Sequence, residues 1–131
     1  MKTFFLLICA LIFLLACSKK DNNNSTKVYK DSYGTIISIN TSNWTLLHDS
    51  TASLNVSGYS NADRLWITNY INNSFVLDTL KLDSKNNFSV DNVIVIGHPT
   101  SSPKAIQAIC HIKANKGTDT MILELFSDIK Y

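Results

Sequence analysis

The sequence predicts an all-β domain of about eight antiparallel strands, arranged either as a sandwich or as a small up-and-down barrel. Apolar and polar residues alternate through most of the chain after residue 28, as they do in strands with one face on a core. The connections are short and rich in Asn, Asp, Gly and Pro, which favour turns. No stretch has the apolar spacing of a three-turn amphipathic helix. The pattern alone does not separate the sandwich from the barrel.

The first three predicted strands cover residues 29–39, 44–48 and 52–58. Alternation is clearest in the third strand, where four residues share one face: Ala52, Leu54, Val56 and Gly58. Because this face carries apolar side chains and the opposite face carries polar ones, we expect the apolar face to lie on the core.

A tight hairpin is predicted at Asn72 and Asn73, which separate two β-rich stretches at 64–71 and 74–82. A longer loop at 83–87 leads into a strand at 88–96. The middle of that strand, Val93-Ile94-Val95-Ile96, is apolar on both faces. We therefore expect a central strand that is covered from both sides.

The main internal loop is predicted at 97–103, because Pro99 and Pro103 cannot serve a central ladder. Strands at 104–114 and 119–127 follow, joined by a turn at 115–118. Residues 101–110 also fit a single helical turn. Within 104–114, alternate residues form one apolar face: Ile106, Ala108, Cys110, Ile112 and Ala114.

The charge of the predicted domain argues against a nucleic-acid partner. The whole chain has a formal net charge of +2, but residues 28–131 hold seven Lys and one Arg against eight Asp and one Glu, a net charge of −1. The positive excess lies in Lys2, Lys19, Lys20 and Lys27. Nucleic-acid binding would need a clustered basic face on the domain.

The first seventeen residues have the build of a secretory signal peptide. Lys2 precedes an unbroken apolar run from residue 4 to residue 16, about 13 residues and too short for a membrane-spanning helix. The run ends in Leu14-Leu15-Ala16-Cys17, which resembles the lipobox of bacterial lipoproteins. The resemblance implies cleavage after Ala16 and acylation of Cys17. The alternative is an ordinary signal peptide whose cleavage site happens to contain a Cys.

This resemblance divides the chain into a signal peptide at 1–16, a lipidated Cys17 with a flexible tether through residue 27, and one all-β domain at 28–131. Residues 18–27 contain no apolar side chain and cannot offset the entropy of ordering. We expect the protein in the bacterial cell envelope, anchored by acyl chains to the outer membrane. Whether it faces the periplasm or the cell surface is left open.

The three cysteines reduce to one free thiol in the mature protein. Cys9 leaves with the signal peptide and Cys17 is lipidated, so Cys110 has no partner for an intramolecular disulfide. It lies on the apolar face of its predicted strand. We therefore expect a buried and unreactive thiol, since free Cys behaves as a small hydrophobic residue.

Signatures of catalysis are scarce, and we expect no enzyme activity, no cofactor and no metal. The sequence has no phosphate-binding glycine loop, no zinc-type spacing of Cys and His, and no nucleophile elbow. His48, His98 and His111 are dispersed, and nothing in the sequence brings them together. His111 shares its strand face with Gln107 and Lys113, which we expect to be solvated. Cys110 and His111 point to opposite faces of one strand and cannot form a catalytic pair. Glu124, the only Glu, is expected at an exposed sheet position.

Aromatic residues give the better functional lead. Four residues lie on the strand face opposite Leu65, Ile67 and Ile71: Arg64, Trp66, Thr68 and Tyr70. A Trp and a Tyr beside an Arg can stack on sugars or grip an amphipathic ligand or a protein. The alternative is that both faces are covered and that Trp66 and Tyr70 simply pack there.

Three tripeptides, which begin at Asp49, Asp78 and Asp119, resemble the O-glycosylation site of some Gram-negative exported proteins. Each of them also has an explanation as a turn or as part of a strand.

These observations favour a small envelope-anchored lipoprotein whose β domain is a binding module for a glycan, a small apolar ligand or a protein. A barrel of this strand count can hold one small ligand, as lipocalins do. The alternative is a structural or accessory subunit of an envelope complex with no small-molecule site. The environment of Trp66 and Tyr70 distinguishes the two: a cavity favours a ligand, and an exposed apolar patch favours a protein.

Overall fold

The structure, a computed structural model, describes residues 26–48, 50–101 and 105–130. The strands are β1 Lys27–Lys30, β2 Ile36–His48, β3 Thr51–Ser60, β4 Arg64–Ile71, β5 Ser74–Leu80, β6 Asn87–Pro99, β7 Ala105–Lys116 and β8 Asp119–Lys130. Every pairing between them is antiparallel. The predicted all-β class with eight antiparallel strands is confirmed.

The strands form one open sheet in the order β1-β2-β3-β6-β7-β4-β5, with β8 paired to the other edge of β7. The chain therefore leaves sequential order after β3, because β6 rather than β4 lies beside it. Residues 87–96 of β6 pair with β3, and residues 97–99 pair with β7. Thus β6 joins one half of the sheet, β1-β2-β3-β6, to the other, β5-β4-β7-β8.

One apolar core lies between the two halves. Side chains from both halves belong to a single buried cluster, whose largest members include Ile37, Leu54, Val56, Leu65, Ile67 and Ile112. Burying each such side chain stabilises the fold by about 1.5–3 kcal/mol. The predicted inward faces of 52–58 and of 104–114 are confirmed, because all of their apolar members are buried.

The predicted hairpin at Asn72 and Asn73 is confirmed. The two residues join β4 to β5 with φ values of 51° and 62°. Two successive residues with positive φ are typical of the type I′ turn, whose twist matches that of the flanking strands. Asn accepts this backbone more readily than most residues because its short polar side chain bonds locally.

Several predicted boundaries were wrong at the start of the domain. Residues 31–35, placed inside the first strand, form a turn in which the Asp31 carboxylate accepts the N–H groups of Tyr33 and Thr35. Residues 40–43, placed between strands, lie within β2, where the register with β3 shifts between Ile39 and Thr41. A β-bulge absorbs the polar stretch without ending the strand.

The strand predicted at 88–96 extends to Pro99, which the sequence placed in a loop. The prediction that both faces of its apolar run, residues 93–96, are covered was also partly wrong. Val93 and Val95 are buried, but Ile94 and Ile96 are only half-buried on the opposite face. Residues 105–110 belong to β7 rather than to a helical turn, and 102–104 lie outside the described residues.

The signal peptide, Cys17 and the tether up to residue 25 also lie outside the described residues. β1 begins at Lys27, one residue before the predicted start of the domain. In the part of the chain that the structure describes, no helix has the length and apolarity to cross a membrane.

Candidate functional site

The side chains of β5, β4, β7 and β8 that point away from the core form what we call the outer face. Register places Leu77 beside Thr68, and Phe75 beside Tyr70. On the same face, along β7 and β8, His111 lies opposite Glu124, and Ile109 lies opposite Phe126. Because neighbours on one face of adjacent strands are in reach of one another, these residues form a continuous surface.

The four predicted binding residues share this outer face, as their alternation required. Arg64 is exposed, and Trp66, Thr68 and Tyr70 are half-buried. The Lys113 ammonium lies 5.5 Å from the centre of the Trp66 ring, a cation–π contact. The Tyr70 ring packs on Phe75 with centroids 5.1 Å apart and a tilt of 59°. The core therefore does not enclose Trp66 or Tyr70.

Thr68 extends the pairing of two strands. Its Oγ1 donates to the backbone oxygen of His111 at 2.9 Å and accepts from the His111 N–H at 3.1 Å. The regular ladder between β4 and β7 ends one residue earlier, at Ile67 and Ile112. The Thr68 hydroxyl thus continues the link between the strands, which leaves it less free to bind a ligand.

Beyond Thr68 the sheet forks. β4 and β6 both lie along the same edge of β7, but β4 pairs with residues 112–115 and β6 with residues 106–108. Between them Asn69 bridges the gap: its Oδ1 accepts the Ile94 N–H at 2.8 Å, and its Nδ2 donates to the Asp78 carboxylate at 2.7 Å. A side-chain amide here satisfies a backbone donor that the ladder would otherwise satisfy.

The fork opens a cavity of about 340 Å³ on the outer face, which we call the fork cleft. Four large apolar side chains form most of its walls: Phe75, Ile94, Ile96 and Ile109. These belong to β5, β6 and β7, so the cleft exists only where these strands meet. Its volume and apolar lining lie in the range typical of small-molecule sites.

Polar groups lie among these apolar walls. Nε2 of His111 is 3.2 Å from Oε2 of Glu124, and both residues are exposed, as expected from the sequence. His98 also lines the cleft and is exposed. Because the His111–Glu124 pair is solvated, its contribution to stability is small. These groups are suited to orient the polar end of a ligand.

The apolar surface continues beyond the cleft. Leu77 is 53% exposed, and Ile122 and Phe126 are both 65% exposed on the outer face. Isolated exposed apolar residues are common on proteins, but clusters of them mark interaction surfaces. The outer face thus combines a cavity with an exposed apolar surround.

Cys110 lies under this face, on the core side of β7. It is 1% exposed, and its thiol donates to the Thr68 backbone oxygen at 3.4 Å. Burial raises the pKa of the thiol to about 12. The prediction of a buried, free Cys110 is confirmed.

Among the described residues, no three His, Cys, Asp or Glu side chains come together in a metal-binding arrangement. The expectation that the histidines stay apart was wrong for one pair, because His98 and His111 line one cleft from the paired strands β6 and β7. Sequence alternation identified the outer face but not the cleft, because the meeting of β5, β6 and β7 depends on pairings between distant segments. No pattern in the sequence indicated that Ile94 and Ile96 lie half-exposed in the cleft.

No protein-family model, curated protein or solved structure matches this chain.

Proposed function

We propose that this chain is a lipid-anchored protein of the bacterial envelope whose β domain binds a small, largely apolar ligand in the fork cleft. The observation that carries the proposal is the cleft itself, with apolar walls from Phe75, Ile96 and Ile109 and polar groups among them. Sites for small molecules combine predominantly apolar walls with a few polar groups in this way.

The lipobox supports the same proposal through location. An acylated Cys17 and a tether of roughly ten residues would keep the domain within about 35 Å of the bilayer, given the reach of an extended chain. Apolar molecules concentrate in and near membranes. A domain held there meets such ligands at high local concentration, and the outer membrane is the expected site of anchoring.

A glycan is a weaker candidate than an apolar ligand. Sugars need many hydrogen-bond partners, and the floor and walls of the fork cleft are mainly aliphatic. The aromatic rings that are able to stack on a sugar, Trp66 and Tyr70, already contact Lys113 and Phe75.

The second candidate is an accessory subunit of an envelope complex without a small-molecule site. The observation that favours it is the strong exposure of Ile122 and Phe126 outside the cleft. A protein surface would cover these side chains, whereas a ligand confined to the cleft would not.

A fluorescence titration with N-phenyl-1-naphthylamine, a neutral apolar probe, tests the first candidate on the chain from Ser18 onward. We expect saturable binding that Ile96→Gln weakens by about tenfold, equivalent to about 1.4 kcal/mol. Ile122→Gln is the matched control, because Ile122 lies on the outer face but not in the cleft, and it should leave binding unchanged. Equal losses in both variants, or no saturable binding, would contradict a cleft site.

A further inference from the structure

β5 is an edge strand with an unusually apolar exposed surface. Among the described strands it pairs only with β4. Three consecutive side chains are exposed along it: Phe75 at 64%, Val76 at 37% and Leu77 at 53%. Edge strands are normally protected from further pairing by Lys, Pro, a bulge or short length. Residues 74–80 contain neither Lys nor Pro, and their continuous register with β4 leaves no bulge in the strand.

Within β5 a single charged side chain is available to protect the edge. Its one ionisable residue, Asp78, faces the core side and accepts the hydrogen bond from Asn69 at 2.7 Å. β1, by contrast, has four residues and carries Lys at both ends, and β8 carries Asp119, Glu124, Asp128 and Lys130. Of β1, β5 and β8, β5 is therefore the strand whose open edge is best suited to accept another strand.

The hairpin between β4 and β5 determines which backbone groups of β5 are free to pair with another strand. In a two-residue turn, Ile71 and Ser74 form the first hydrogen-bonded pair. Pairs in an antiparallel ladder alternate, so Ser74, Val76 and Asp78 direct their N–H and C=O groups towards β4. The corresponding groups of Phe75 and Leu77 point to the open edge.

We propose that β5 pairs antiparallel with β5 of a second copy of this chain, with the two Val76 residues opposite each other. This register brings the N–H and C=O groups of Phe75 against those of the second copy's Leu77, on both sides of a two-fold axis. The sheet then continues without a break from one subunit into the other. The dimer does not depend on the ligand proposed for the fork cleft.

The sequence of β5 is self-complementary in this register. Phe75 lies opposite Leu77, Val76 opposite Val76, and Ser74 opposite Asp78, so apolar residues meet apolar ones and no like charges meet. Centring the pair on Leu77 would instead place Phe75 opposite Thr79 and Val76 opposite Asp78. If two β8 strands paired antiparallel about Glu124, the two Glu124 carboxylates would lie opposite each other.

Two-fold pairing also closes the assembly. A contact of β5 with β8 of another copy would be heterologous and would leave a free β5 and a free β8 at the ends, which leads to filaments. Pairing of β5 with itself uses up the apolar edge in a dimer. An acylated chain lying on a membrane surface can adopt this arrangement side by side with its neighbour.

Cysteine crosslinking of the full-length chain in its native membranes tests the register. Opposed residues in a non-hydrogen-bonded pair have Cα atoms about 4.5 Å apart, within the range of a disulfide. Under mild oxidation with copper phenanthroline, Val76→Cys should give a disulfide-linked species of twice the mass. Ile122→Cys, an exposed control on β8, should give it at least ten times more slowly. Cys110 is buried and should not contribute.

Equal crosslinking of the two variants, or products only with other proteins, would overturn the proposal. Native mass spectrometry of the full chain released from detergent micelles gives an independent test. We expect a dimer for the wild type and for Ile122→Lys, and a monomer for Val76→Lys, which places two ammonium groups opposite each other. A monomeric wild type would also overturn the proposal.

Discussion

Asn69 and Ile94 join two strands that have no regular ladder between them. The Asn69 Oδ1 accepts the Ile94 N–H at 2.8 Å, and this bond crosses the fork where β4 and β6 leave the edge of β7. The same side chain donates to Asp78 on β5 at 2.7 Å. One amide thus holds three strands together behind the fork cleft.

Replacing Asn69 by Leu should destabilise the domain by about 2 kcal/mol, because the partly buried Ile94 N–H and the Asp78 carboxylate both lose a partner. Urea unfolding measures this loss as a lower transition midpoint. Asp78→Asn is the comparison variant: it keeps an oxygen that accepts the Asn69 bond and leaves the Ile94 bond intact, so its loss should be smaller. Equal losses would show that the bond to Ile94 contributes little.

Replacing Trp66 by Ala should lower stability by only about 1 kcal/mol, the scale of the cation–π contact with Lys113 and partial burial. Leu65→Ala, at the neighbouring position on the core face, should lower it by about 2–5 kcal/mol. Thermal melting of the two variants compares the two faces of β4 directly. A loss of 3 kcal/mol or more for Trp66→Ala, which is in the range of core truncations, would show that Trp66 packs as part of the structure and is not available on the outer face to bind a partner.

Replacing Gly58 by Ala should destabilise the domain by about 1–3 kcal/mol through overpacking. A Cβ at this position would overlap the backbone oxygen of Ser38 and the ring of Phe88. The backbone oxygen cannot rotate away as a flexible side chain can. Ser57→Ala, at the adjacent half-buried position, removes only the Oγ contact with Thr41, 2.6 Å long, and is the comparison for urea unfolding. A stability for Gly58→Ala as high as that of Ser57→Ala would contradict the close approach.

The Cys110 thiol should react slowly with Ellman's reagent in the native chain from Ser18 onward and at the normal rate in urea. Burial raises its pKa from the ordinary 9.0 to about 12, so little thiolate is present in the folded state. Because the unfolded chain loses this proton first, the thiol should leave the free energy of unfolding unchanged below about pH 9 and should lower it between pH 9 and 12.

Cys110→Ala serves as the control for both effects. It should cost about 1 kcal/mol through lost packing and should remove this contribution to the decline in stability above pH 9. Fast labelling of the native thiol would mean that it is exposed and would contradict the burial of Cys110.

Cys17→Ser should abolish lipid labelling and release the protein from membranes. Each buried methylene of an acyl chain contributes about 0.8 kcal/mol, so two or three chains hold a protein firmly, whereas the serine hydroxyl leaves no thioether site. Metabolic labelling with a palmitate analogue, followed by fractionation after a salt wash, gives the result. Continued fractionation of the variant with membranes would argue against the lipoprotein assignment.

Much of the fold was predictable because alternation is a local property. Side chains of successive strand residues point to opposite faces, so the spacing of Leu65, Ile67 and Cys110 was enough to place them on the core. The same rule put Trp66 and Tyr70 on the other side. The hairpin at Asn72 and Asn73 was predictable because its turn requires residues that accept positive φ.

The predicted strand boundaries were wrong where residues that are typical of loops pair with another strand. Residues 40–43 were left between two predicted strands, but Thr41 Oγ1 lies 2.6 Å from Ser57 Oγ and residues 41–43 remain paired with β3. Pro99 likewise ends a strand that the sequence ended at residue 96, since its register partner is Ile106 on β7. In both cases a partner distant in the chain decided the conformation.

The sequence by itself determined the class of fold, the inward and outward face of most strands, and the burial of Cys110. Only the tertiary structure decided that β6 lies beside β3 and then joins β7, and hence that Ile94, Ile109 and His111 meet at one cleft. The physical reason is that alternation specifies which face of a strand is apolar but not which strand lies next to it. Neighbours are chosen by the burial of the whole core and by hydrogen bonds between distant residues, such as that from Ile94 to Asn69.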